Sequence, residues 1–481
     1  MTFFDFLRIN FSILGIVSIC FIFPILCAAS YGEWFMIPYF LVPMVVFIFL
    51  ALVIIYAGRK RKITMSIRGA FIIVASAWIF SSLLGALPFY FSGMIPDFCD
   101  AFFESVSGFT TTGATILSEI ESLPMSVNLW RCETHWLGGM GIVALTVALF
   151  PLLGVGGFQL IKAETTGPEK GKVTPKITNT AKALWLIYFG FTVIQAVLLM
   201  FAGMDFWDAV AHAFSTLGTG GFSTRNASIG AYDSVAVDAI CTVFMLLAGI
   251  NFSLYFYLIA GKFDDIRHNS ELKAYVGIVI VAILSITIVL KPSYGSFFAS
   301  LRYSAFQVAT IISTTGFATA DFTFWPQAAQ LLIFSLFFIG GSSGSTSGGI
   351  KVVRWVILQK QAKNEILRML HPHGVFSIRL NGRPGRKDIV FTVTAFMMVY
   401  SMLIFLTSVF GSLAGLDVIE AFTGALSMVG NIGPGFGALG PSCNYGFLPS
   451  ALKYWYMFAM LAGRLELYTL IIFFIPDFWK K

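Results

Sequence analysis

The sequence predicts an all-α polytopic membrane protein with ten transmembrane helices and four half-length re-entrant segments, and three observations predict it. Of the 481 residues, 57% are hydrophobic and 11% charged, with mean hydropathy +0.83, against roughly 25% charged in soluble domains. Apolar windows of about 20 residues, the length that crosses a hydrocarbon core of about 30 Å, recur along the chain. Between some of these lie apolar stretches too short to cross, each ending in a run of Gly, Ser and Thr, which is the pattern of a segment that dips in and returns.

Taken in order, the windows run over 10–29, 36–57, 69–92, 128–153, 183–203, 235–260, 274–290, 327–350, 389–410 and 452–475. The first, which follows Arg8, has the opening of a signal peptide, but its length and the span directly after it predict an uncleaved helix. The short stretches fall between the third and fourth, fifth and sixth, seventh and eighth, and ninth and tenth windows. If each returns to the side it left and both termini are cytoplasmic, 25 of the 31 Lys and Arg residues lie on the cytoplasmic side, as the positive-inside rule requires. The net charge of +7 is therefore topological and not a nucleic-acid footprint. Six scattered cysteines without CxxC or Cys/His spacing indicate neither a metal site nor a disulfide scaffold.

After residues 1–65, an N-terminal pair of helices, one unit recurs four times: span, short helix, Gly-rich turn, span. The repeats occupy 66–160, 161–268, 269–370 and 371–481. The short segments carry Ala101-Phe102, Ala209-Val210, Ala305-Phe306 and Ala421-Phe422, and eleven or twelve residues after each Ala stands Gly113, Gly220, Gly316 or Gly433. A helix that stops partway through a membrane leaves an extended return whose carbonyls have no partner in lipid, so they must face a cation or water. Four such turns about one axis make a ring of carbonyl oxygens able to replace the hydration shell of an alkali cation. The residues expected to form it are Thr111, Thr112 and Gly113; Gly218, Thr219 and Gly220; Thr314, Thr315 and Gly316; and Asn431, Ile432 and Gly433. Leu217-Gly218 and Asn431-Ile432 stand where the other turns carry Thr-Thr.

This unit resembles the membrane-pore-membrane repeat of the Trk/Ktr/HKT superfamily of potassium transporters, and the extra N-terminal pair makes it most similar to the TrkH branch. The resemblance covers the chain after about residue 66. It implies a K+ pathway within one subunit, homodimers in a bacterial inner membrane, and a cytosolic TrkA-type ring of nucleotide-binding domains. It implies no organic cofactor on this chain and no enzymatic activity. The loop from Lys351 to Asp388, with nine basic residues, and the 162–182 loop are the expected docking sites for that partner, or alternatively surfaces for anionic lipid.

A gate is expected below the ring. Gly340, Gly341, Ser342, Ser343, Gly344, Ser345, Thr346, Ser347, Gly348 and Gly349 form ten consecutive small residues in which a helix should break. In the family, this position is similar to an intramembrane loop that obstructs the pore; a close helix contact is the alternative. Arg464, deep in the tenth window, costs at least about 2.5 kcal/mol at the bilayer centre and needs a partner. It reads either as a latch on the carbonyls of the broken segment or as half of an ion pair with a neighbouring carboxylate. Glu466, two residues on, points elsewhere on a helix. Arg131, Glu133 and His135 beside Trp130 and Trp136 read as an interfacial anchor, and His212 as a packing histidine. Asp97, Asp100, Glu104, Asp205, Asp208, Asp417 and Glu420 gather near the outer ends of the short helices and either concentrate cations or serve as helix starts. The expected function is K+ conduction. Its rival is an H+- or Na+-coupled transporter, for which Glu133 and Glu466 are the available carboxylates; a membrane enzyme finds no paired acids at suitable spacing.

Overall fold

In the computed structural model, residues 2–61, 66–141, 177–381, 383–384 and 388–480 are described. The chain is helical there apart from one antiparallel hairpin, Arg379–Leu380 with Arg383–Pro384. Two N-terminal helices, Phe3–Ile19 and Ile22–Tyr31, precede Ile37–Gly58. Thr2 and Asp5 close the first with a capping box. Arg8, buried in the first helix, donates 2.9 Å to the Gly58 carbonyl and ties the first helix to the end of Ile37–Gly58. Helix Ile37–Gly58 turns Val42, Val45, Phe49 and Leu52 outward, more than 40% exposed, which is an outer face suited to lipid.

Each repeat is built as a long helix, a short helix and a second helix. The long helices are Ile67–Phe91, Ile177–Phe201, Ser270–Tyr294 and Ile389–Leu413, and the short ones Phe98–Phe109, Phe206–Gly218, Phe297–Ile312 and Val418–Gly430. Asp97, Asp205 and Asp417 cap three of the short helices through side-chain oxygens on their first amides. The second helices are Met125–Gly139, Val235–Ala248, Gln327–Leu336 and Ser450–Arg464.

Here the sequence expectation needs correction. Of the windows read as second spans, 235–260 is bent by 93° between Val235–Ala248 and Phe252–Ile259, and 452–475 by 115° after Arg464. The 327–350 window is helical only to Leu336, and 128–153 runs beyond Gly141 into residues that are not described. Among the described residues, six helices are long and apolar enough to cross a membrane, or up to eight with each bent pair as one span. Hydropathy windows register apolarity, which a backbone break does not change. The breaks fall at Gly249–Asn251, over 337–351 and at Glu466-Leu467, both of the last pair with φ near +57°. The 162–182 loop lies outside the described residues as far as 176 and continues as the start of helix Ile177–Phe201.

Candidate ion site and gate

Four short helices end in one backbone motif. Thr111, Thr219, Thr314 and Asn431 all adopt left-handed conformations (φ 55°, 53°, 54° and 52°), and two residues later come Gly113, Gly221, Gly316 and Gly433 with φ 77°, 83°, 88° and 103°. Glycine takes this conformation without steric cost. The second turn is therefore one residue out of the register read from sequence: Gly221, not Gly220, is the counterpart of Gly113. Thr219-Gly220 replaces Thr111-Thr112, and Gly218 falls in the place of Thr110. Counting from Ala209 misplaces it because two adjacent glycines fit the spacing equally well.

The four turns meet in a closed cycle. A Cβ on Gly113 would collide with the Gly220 carbonyl, and one on Gly221 with the Thr315 carbonyl. One on Gly316 would lie 2.5 Å from the Ile432 oxygen, and one on Gly433 2.7 Å from the Thr112 oxygen. Each glycine thus faces the carbonyl of the residue just before the glycine in the next turn. All four glycines line one cavity of about 140 Å³ that also receives Arg131, Arg225 and Cys443. Fourfold equivalence stops at the side chains. Thr110 pairs with Thr112 by hydroxyls 2.8 Å apart and Ser313 with Thr315 at 2.6 Å, whereas the second and fourth turns lack both partners. Behind Gly220 the His135 ring takes the space of the missing side chain, stacked 4.2 Å from Phe222. Asn431 braces the fourth turn by donating 3.0 Å to the Thr112 hydroxyl and to the Met460 carbonyl.

Charged side chains buttress the ring from outside. Arg131 and Glu104, both fully buried, pair at 2.8 Å, and Glu104 also accepts from Ile116 N at 3.0 Å. Arg131, Glu133 and His135 are thus buried in the wall and are not an interfacial anchor; three charged or polar groups at a Trp-flanked helix start look alike in sequence whether they face headgroups or a neighbouring turn. Both Glu133 oxygens are without a hydrogen-bond partner among the described residues. His212 is satisfied on both ring nitrogens, 2.7 Å from the Asp208 carbonyl and 2.8 Å from Ser223 Oγ. Most of the acidic group is committed: Asp100 to Lys453 at 2.6 Å, Glu420 to its capping box, Asp208 to Arg225 at 2.9 Å. Burial pushes the Asp208 carboxyl up, but the Thr224 hydroxyl and the Arg225 guanidinium hold it, on balance, below the usual carboxylate range. A depressed carboxylate stabilises the fold above its unfolded pKa and loses that contribution as pH falls through the folded value. Asp208→Asn is therefore expected to lower the melting temperature near neutral pH, with the gap from the parent closing under acid conditions. A gap unchanged from neutral to acid pH would refute this.

Below the ring, residues 337–351 run without helix. The segment is held to the broken second helix of the preceding repeat, Ser342 N donating 2.8 Å to the Gly249 carbonyl and Phe252 N 3.0 Å to that of Gly344. It also meets the third turn, where Gly348 N donates 2.6 Å to Thr314 Oγ1. Arg464 is not mid-helix but the last residue before the break. Its guanidinium donates 2.8 Å to the Thr346 carbonyl and 2.5 and 2.8 Å to those of Gly138 and Gly139, groups freed by the ends of other elements. Glu466 pairs instead with Arg354. Sequence reading missed Glu271, Lys351 and Arg354 here. The last two were counted among the docking residues, yet they are 2% and 5% exposed, and Lys351 Nζ donates to the Ser347 carbonyl. Their closeness to the small-residue run was the available signal.

The TrkH family model, described as a cation transport protein, matches residues 37–481. The chain is 40% identical over 433 residues to the Trk system potassium uptake protein TrkH of Escherichia coli strain K12, covering 89% of each. It is equally similar, 40% over 433 residues and 88% of each chain, to that of Halomonas elongata. The crystal structure of the potassium transporter TrkH from Vibrio parahaemolyticus superimposes with a TM-score of 0.87 at 34% identity, over 100% of both chains.

Proposed function

The chain belongs to the TrkH family of cation transport proteins, and from that membership we propose that it takes up potassium through a pore contained in one subunit. The observation that carries this reading is the closed cycle in which each turn's glycine faces a carbonyl of the next. In it, a dehydrated K+ is coordinated by main-chain oxygens of Thr111, Thr112 and Gly113, Thr219, Gly220 and Gly221, Thr314, Thr315 and Gly316, and Asn431, Ile432 and Gly433. Ten membrane crossings, three of them interrupted, and four re-entrant short helices surround the site. The loop at 340–349, held by Arg464, obstructs the inner side. Opening is controlled by a cytosolic nucleotide-binding partner of the TrkA type that docks on the 351–388 and 162–182 segments of a homodimer. The protein is a membrane transport protein and not an enzyme.

Purified protein in liposomes tests this: K+ and Rb+ uptake is expected to follow an imposed voltage, to exceed Na+ uptake, and to ignore a pH gradient. Obligatory proton dependence would replace it with coupled transport, the reading favoured by the buried Glu133 carboxyl, which has no hydrogen-bond partner among the described residues.

A further inference from the structure

The loop is fastened on a second side, away from Arg464. One carboxylate oxygen of Glu271, in the first turn of helix Ser270–Tyr294, accepts from Ser343 N at 2.7 Å and from Val353 N at 3.0 Å. These amides lie on either side of the stretch that meets Arg464 and the third turn. One carboxylate therefore clamps the loop's entry and the start of its exit helix, Val352–Leu370. Glu271 is 8% exposed, and the positive charges of Lys351 and Arg354 act on it. A buried carboxylate taking two backbone donors is a strong, directional anchor, and those two amides have no helical acceptor of their own.

Glu271 is in turn connected to the cytoplasmic surface. The adjacent Ser270 donates its backbone N–H, 2.8 Å, to Oδ1 of Asn381 at the hairpin tip, and Asn381 N returns a bond of 3.4 Å to Ser270 Oγ. On the same hairpin the Arg379 carbonyl accepts from Lys360 Nζ at 2.6 Å. The hairpin thus touches both helices that border the loop, Val352–Leu370 and Ser270–Tyr294. It is exposed at Asn381 and Arg379, lies within the 351–388 segment and has a conformation pinned by a left-handed Asn381 (φ 50°).

We propose that Glu271 is a positioning residue for the closed gate, and that the 379–384 hairpin is the lever through which a cytosolic partner moves it. A partner that displaces the hairpin shifts Ser270 and Glu271 together, so the Ser343 and Val353 bonds lengthen and the loop loses its second tether. Arg464 and the bonds to Gly249, Phe252 and Thr314 then hold it under the third turn. This rests on the reading of 340–349 as the gate.

The test is Rb+ flux into liposomes without any partner, on four full-length variants. Glu271→Ala is expected to raise basal flux about tenfold with the Rb+ to Na+ ratio unchanged. Glu271→Gln, whose amide oxygen accepts the same two N–H groups, is expected to restore flux to within about twofold of the parent. Asn381→Ala, outside the membrane, is expected to raise it by about two- to threefold. Arg464→Ala serves as the reference for the gate itself. If Arg464→Ala raises flux while Glu271→Ala and Asn381→Ala do not, the anchor and lever are wrong and the gate stands. If none of the three raises flux, the gate reading fails with them. A changed ion ratio in Glu271→Ala would make the residue part of the ion site and overturn its role as a tether. Should Glu271→Ala not fold, the Asn381→Ala result decides.

Discussion

Replacing Gly113 with alanine is expected to abolish the preference for K+ over Na+. Two effects act at once. Gly113 has φ 77°, where an L side chain costs about 1–2 kcal/mol, and its new Cβ would collide with the Gly220 carbonyl, which cannot yield without moving the second turn. A carbonyl withdrawn from a cation forfeits something comparable to a charge-assisted hydrogen bond, about 1.5–3 kcal/mol. At about 1.4 kcal/mol per factor of ten, the preference should fall by roughly ten- to a hundredfold. Gly316→Ser, with its Cβ 2.5 Å from the Ile432 carbonyl, should act in the same direction. Gly32→Ala is the control: φ is 72° but a Cβ there meets nothing within 4 Å, so backbone strain acts without the collision. Rb+ uptake competed with Na+ reads the result. Parent-like discrimination in Gly113→Ala, with normal expression, would remove the glycine ring from the ion path.

Removing the Arg464 guanidinium should have the second largest effect, in the opposite direction: more flux. Its bonds to Thr346, Gly138 and Gly139 join the loop to the end of helix Met125–Gly139. A bond from a charged donor contributes about 1.5–3 kcal/mol net. Losing even the one to Thr346 should shift a closed-to-open equilibrium by about tenfold or more. Arg464→Ala is therefore expected to raise partner-free uptake at least tenfold, and Arg464→Lys, a point charge without the fork, by less. Flux at or below the parent level in correctly assembled Arg464→Ala would mean that the arginine only braces two helix ends. The distinction matters because Glu466, the obvious carboxylate, is engaged by Arg354, while Arg464 donates to the main-chain oxygens of Thr346, Gly138 and Gly139.

Much of the site was legible in the chain because its requirements are compositional. Small residues suit a turn whose backbone must double back inside a membrane, so Thr110–Gly113 and Ser313–Gly316 stand out among apolar neighbours, and Gly430–Gly433 does so through its two glycines. The second turn was legible in kind but not in register, since Gly220 and Gly221 are equivalent on paper and only their φ angles separate them. Glu271 was illegible: seventy-two residues from Ser343, in an ordinary acidic helix start, it gives no sign that two distant amides end on its carboxylate.

The sequence by itself determined that the protein lives in a membrane and that a short helix followed by a Gly-rich turn recurs four times along the chain, because hydropathy and small-residue runs are local properties that burial in lipid enforces residue by residue. Only the tertiary structure decided that the turns close into one cycle, that three of the second-span windows break, and which carbonyls and amides Arg464 and Glu271 hold. Those outcomes depend on backbone groups brought together across hundreds of residues, and every residue carries the same backbone groups whatever its side chain.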